Sequence, residues 1–204
     1  MKTSLEIVFF HEIGHFISHQ LNYKHFGIGE VDKIILIEKR PHGVVEYEGQ
    51  TISKVPNGKT NLEPILNLPE KIAELIYGCY FQSIFLNKEL DICFDYRNKS
   101  ARGYRDSQNL IGGLSQFNID ENKRRKLYPY LKEKYFNELK KHTYEFELLF
   151  KLNPMDFLKE NENGFEVELK KLDNSLTEFM EKHSTDFIEF VENIREILNK
   201  KNVG

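Results

Sequence analysis

Tryptophan is absent from these 204 residues, cysteine occurs only twice, and no apolar run approaches the roughly 18 residues needed to cross a bilayer. Cys79 and Cys93 are too few for a disulfide scaffold and are not spaced as a zinc knuckle, so a reducing, cytoplasmic setting is expected. The start, Met1-Lys2-Thr3-Ser4, reaches charged Glu6 at once and has no signal-peptide core. An excess of positive charge is missing too, since the formal net charge is -3. The one dense basic cluster, Lys123-Arg124-Arg125-Lys126, follows Asp120 and Glu121 and reads as a solvated turn or helix end, so no nucleic-acid partner is expected. No G-x-x-x-x-G-K-[ST] loop occurs, which removes P-loop ATP binding. What the chain does have is 16 Phe and 10 Tyr within a hydrophobic content of 40%, enough bulk for one well-formed core.

Thr3-Ser4-Leu5-Glu6 has the form of a capping box, which predicts a helix from about Ser4. Leu5, Val8, Phe9, Ile13, Phe16 and Ile17 recur at helical spacing and carry it through Leu21, short of the Gly27 to Gly29 segment. Two β-favouring runs, Ile34 to Ile37 and Val44 to Tyr47, flank Arg40-Pro41-His42-Gly43 and predict a β-hairpin. Residues 50–69, punctuated by Pro56, Gly58, Pro64 and Pro69, read as loop. Pro69 suits the first turn of a largely buried helix whose apolar stripe includes Ile72, Leu75, Ile76, Cys79, Tyr80 and Ile84. Asp106 stands where an N-cap would open another helix. From Asn118 onward the pattern is helical and charged, broken at Asn153-Pro154 and again at Glu160 to Gly164. The expectation is an α+β, mainly α chain: a core over residues 1–118 with a small β-hairpin beside a central helix, and a helical region over 119–204 packed on it as one compact unit.

The chemistry is concentrated in "FFHEIGHFISHQL". His11-Glu12-Ile13-Gly14-His15 matches H-E-x-x-H, a pattern that chance would place in roughly one to two per cent of chains of this composition. Helical residues four apart share a face with Cβ atoms about 6 Å apart, so both imidazoles can converge on one ion. Glu12 is turned by roughly 100° from His11, outside the ligand set yet within reach of a metal-activated water, which is the position of a general base. His19 lies about 12 Å from His11 along a straight helix, too far for the same ion, and reads as a helix-surface or pocket-rim residue. His25 and His42 are placed on loops. An oxygen donor is expected as third ligand, with Asp106, Glu74, Glu70, Asp95 and Asp91 as candidates that composition does not separate.

In order and approximate spacing, "FFHEIGHFI", "VDKIILIEKRPHGVV", "LIYGCYFQSIF" and "GYRDSQNL" resemble the peptidase domain of the FtsH-type membrane-anchored AAA proteases. The resemblance covers roughly residues 4–118 and is specific at the metal helix. It implies a zincin-like metallopeptidase with Zn²⁺ held by His11, His15 and Asp106, Glu12 as base, and the family's tyrosine-glycine element at Tyr77-Gly78. Three departures stand out: Gln82-Ser83 replaces the usual acidic pair, Cys79 replaces the second glycine, and the stretch from Tyr77 to Asp106 is longer. With neither the ATPase module nor the membrane helices of that family, the expected activity is ATP-independent hydrolysis of exposed loops, tails or unfolded segments; a separate ATPase or homo-oligomerisation is an open partner question.

The hairpin offers an edge strand on which an extended peptide could pair. A rival reading resembles the ImmA/IrrE regulatory zinc peptidases, with Glu74 as third ligand. The non-enzymatic rival is an inactive zincin-like module whose charged C-terminal helices bind a protein, but a purely structural site would use four protein ligands and would not need Glu12.

Overall fold

The computed structural model describes residues 2–54, 67–99, 101 and 103–200. Helix α1, Ser4–Phe26, opens on the expected capping box: Thr3 accepts from the Glu6 amide, and the Glu6 carboxylate accepts from the Thr3 amide. It runs one turn past Leu21 and closes on Gly27, whose φ is 70°. Lys24 and His25 therefore sit in its last turn, where positive charge suits the helix dipole, and His25 is helical and not in a loop as expected. From Val8 to Asn22 α1 is buried on nearly every side, the environment of a central helix.

The expected hairpin is present. β1, Val31–Lys39, pairs antiparallel with β2, Glu46–Ser53, across a turn in which His42 takes a φ of 52°. β1 turns Ile34 and Leu36 into the core. The strand reaches Ser53, so the loop expected from residue 50 begins later, and its Pro56, Gly58 and Pro64 lie outside the described residues.

Helix α2, Leu68–Leu86, begins with Pro69 in its first turn and is buried along most of its length. A short helix α3, Leu90–Cys93, precedes α4, Tyr104–Gln116. Gly103 is the residue flanking α4, so Asp106 lies inside the first turn and is not the N-cap that its position suggested. Helix α5, Glu121–Pro129, is capped by Asp120 and holds the basic cluster. It continues through a π-helical turn, Tyr130–Tyr135, into α6, Phe136–Lys140, and then comes α7, Thr143–Leu149.

The polar break after Asn153 folds into a second hairpin, β3 (Leu158–Asn161) and β4 (Gly164–Val167). β4 pairs with β1, giving one antiparallel sheet in the order β2-β1-β4-β3, so the C-terminal part contributes half the strands of a sheet begun at residue 31. Helix α8, Leu169–Asn199, packs on α1, α2 and α5 through Leu172, Leu176, Phe187, Phe190, Val191, Ile194 and Leu198. An aromatic cluster joins it to α2: Tyr135 stacks on Phe190 with centroids 3.8 Å apart, and Tyr77 meets Phe187 edge-on at 5.2 Å. The architecture is α+β and mainly helical, with α1 held between the sheet and the other helices.

Candidate metal centre

α1 and α2 cross where neither carries a side chain. A Cβ on Gly14 would collide with the Tyr77 carbonyl and Gly78, and a Cβ on Gly78 would collide with the His15 ring. The glycine inside H-E-x-x-H and the glycine after Tyr77 are thus two halves of one contact, which lets the His15 imidazole lie against the α2 backbone.

Each imidazole is then held by its far nitrogen. His11 Nδ1–H donates to Gln82 Oε1 at 2.8 Å, and His15 Nδ1–H donates to the Glu74 main-chain carbonyl at 2.7 Å. With the protons on Nδ1, both Nε2 atoms carry lone pairs, and these point at one another. His11 Nε2 and His15 Nε2 are 3.0 Å apart, and Asp106 Oδ2 lies 3.1 Å from the first and 3.5 Å from the second. Three acceptors converge with no donor among them. That arrangement is repulsive unless a cation sits between them.

The spacing fits a metal ion. Ligands about 2.0–2.1 Å from a tetrahedral Zn²⁺ stand roughly 3.3 Å apart, close to all three observed edges. Protonation answers the same need: burial works against a charge on His15, but the Asp106 carboxylate beside it and the nearby Glu12 raise its pKa to about 9. Burial alone would raise the Asp106 carboxyl, yet the two histidines hold it well below the ordinary carboxylate range.

Glu12 is buried beside this triangle, with a carboxylate oxygen within 4.8 Å of a nitrogen from each histidine. Thr51 Oγ1 on β2 donates to its Oε2 at 2.8 Å, and the absence of a side chain at Gly49 on the same strand leaves the carboxylate its space. Gln82, Gly49 and Thr51 all escaped the sequence reading. Gln82 left one signal, as the place where the resemblance loses its acidic pair; Gly49 and Thr51 left none.

No family model, curated protein or solved structure matches this chain.

The other candidates lie elsewhere. Glu74 Oε1 is 3.1 Å from His19 Nδ1 and accepts from Asn22, while its Oε2 accepts from Lys71 at 3.0 Å. Burial opposes the Glu74 charge, but these partners, His19 foremost, lower its pKa to about 2. His19 is buried, not at a surface or rim, and its Nδ1–H donates to the Gly29 carbonyl at 2.9 Å. His19 and Glu74 thus form a brace that ties α1, α2 and the chain before β1 together. Glu70 pairs with Arg195, Asp91 with Lys132, and Asp95 caps the Arg97 amide. His25 Nε2 meets Ser184 Oγ at 2.6 Å, and His42 lies in the exposed hairpin turn.

Cys79 Sγ sits 3.8 Å from Asp106 Oδ2 as a weak donor, and burial pushes its thiol pKa up. The ligand face opens to solvent through Asp106, whose side chain is 17% exposed.

Proposed function

We propose that this chain is a zinc-dependent metallopeptidase with a zincin-like catalytic core, in which His11, His15 and Asp106 hold Zn²⁺ and Glu12 is the general base. The observation that carries the reading is the convergence of three acceptor atoms beside a buried glutamate that is not one of them. Zn²⁺ bound by that set would supply Lewis acidity, polarising a carbonyl and acidifying water.

The protein's own groups do the rest. Gln82 and the Glu74 carbonyl keep both imidazoles in the tautomer that offers Nε2. Glu12, aimed by Thr51, takes a proton from the attacking water and passes it to the departing amine. β2 is one edge of the sheet and carries Thr51 beside Glu12, so an extended peptide added to that edge would lie alongside the base. Such an edge accepts loops, tails and unfolded segments in preference to folded domains. Cys79 and Cys93 are not joined in a disulfide, in keeping with work in a reducing compartment. Among the described residues no helix is long and apolar enough to cross a membrane.

The test is zinc content and hydrolysis of a broad peptide library by the wild type and Glu12→Gln. Zinc should be retained by both, and cleavage should fall by about 10²–10⁴-fold in the variant. A wild type that binds zinc yet is as inert as Glu12→Gln would overturn the proposal.

A further inference from the structure

A second group of metal-ligating side chains stands far along the chain from the first. His142 precedes α7 at the turn after α6, while His183 and Asp186 lie one helical turn apart on α8. His142 Nε2 is 3.4 Å from Asp186 Oδ2, and His183 Nδ1 is 3.9 Å from the same oxygen. The two rings meet edge-on with centroids 4.5 Å apart, and one ligand atom from each residue lies within 4.8 Å of the others.

The independent observation is His183 itself. It is 3% exposed, it occupies a position in the apolar stripe of α8 between Leu176 and Phe187, and neither ring nitrogen has a hydrogen-bond partner. Buried polar atoms in native proteins are almost always satisfied, so an imidazole with both nitrogens orphaned points to a missing partner. Asp186 is too distant for a hydrogen bond, yet it stands at the separation of a co-ligand. Phe179 lies against the His183 ring, with centroids 4.3 Å apart, and holds it in place. Lys182, next to His183 in the chain, is drawn off into an ion pair with Glu145. Burial, followed by the neighbouring His142, lowers the His183 pKa to about 4, so its lone pair is available at neutral pH. His142 and Asp186 are open to solvent, with side chains 34% and 49% exposed, giving an ion a way in and room for water to complete its shell.

We propose that His142, His183 and Asp186 form a second metal site, for a borderline divalent transition ion such as Zn²⁺, that clamps α8 to the turn before α7. Two imidazoles and one carboxylate suit such an ion better than Mg²⁺ or Ca²⁺, which prefer oxygen alone. The clamp is separate from the centre on α1 and does not depend on its chemistry.

Calorimetric titration of the metal-stripped full chain with Zn²⁺ tests it. Two classes of site are expected, and His142→Ala or Asp186→Ala should weaken one of them by at least about tenfold while leaving the other unchanged. Asp106→Ala should do the reverse, and in that variant Zn²⁺ should still raise the melting temperature, an effect lost on adding Asp186→Ala. Because His142 and Asp186 are partly exposed, their removal should leave the fold intact by circular dichroism, and Asp186→Asn replaces any variant that fails that check. Zinc binding unchanged by both His142→Ala and Asp186→Ala overturns the clamp. A centre on α1 that binds no zinc, with a class still sensitive to Asp186→Ala, would overturn the peptidase reading and leave the clamp standing.

Discussion

The two histidine clusters differ in how their imidazoles are held. On α1, the far nitrogen of each ring is fixed by an acceptor from α2, so the near nitrogens are aimed before any ion arrives. On α8, no hydrogen bond orients His183, and only ring packing sets its plane. A site preorganised by a second layer of hydrogen bonds should bind tightly, whereas one held by packing alone should bind weakly and chiefly stabilise its surroundings.

The sharpest way to break this contrast is to remove Asp106. In the proposed centre Asp106 is a direct ligand, so the zinc affinity of Asp106→Ala should fall by more than about 100-fold, since even second-layer losses cost 10–100-fold. Glu74→Ala should keep the tight zinc, because that carboxylate serves His19, Asn22 and Lys71. Equilibrium dialysis would read both, and the opposite pattern would move the third ligand to Glu74.

Gln82→Leu tests the holding itself. It leaves the His11 Nδ1–H without an acceptor at nearly constant volume, and the tight class should weaken by about 10–100-fold while the class on α8 does not change. Equal weakening of both classes would mean that the substitution had disturbed the whole fold.

The smallest effect belongs to His183. In the metal-free protein its folded pKa is near 4, below the value of about 6.5 expected when unfolded, because burial comes first and His142 and Lys182 add to it, against the opposing pull of Asp186 and Glu145. Its neutral form is therefore favoured by folding, so the stability it contributes is complete above about pH 6.5 and lost as pH falls towards 4. His183→Leu should flatten that acid limb, with the unfolding free energy from urea titration at pH 7 unchanged or raised by up to about 1 kcal/mol. A variant with the wild-type acid limb would show that His183 is not the group responsible.

The capping box at Thr3, the hairpin around Pro41, the proline-led α2 and the metal-helix pattern were all legible in the sequence, because each is specified by residues within one or two turns of one another. The second hairpin was not: β3 offers only Leu158 ahead of Lys159, Glu160 and Asn161, the alternation of Phe165 and Val167 about Glu166 spans only four residues of β4, and its partner β1 lies more than 120 residues earlier in the chain. Asp106, expected as a cap and, through the resemblance, as a ligand, is not the cap, since the helix starts two residues before it, at Tyr104; its carboxylate faces α1. His183 drew no reading from the sequence, because a histidine within a charged helix carries no sign of what it meets.

By itself the sequence determined how His11, Glu12 and His15 are disposed on α1, since spacing along a helix sets their directions before anything else packs. Which carboxylate joins them, which groups fix their tautomers and which strand aims Glu12 were decided by the tertiary structure. Gln82 lies 71 residues from His11 and Asp106 lies 95 from it. Only the crossing of α1 over α2 at Gly14 and Gly78, with β2 on the other flank, brings such distant residues within hydrogen-bonding range.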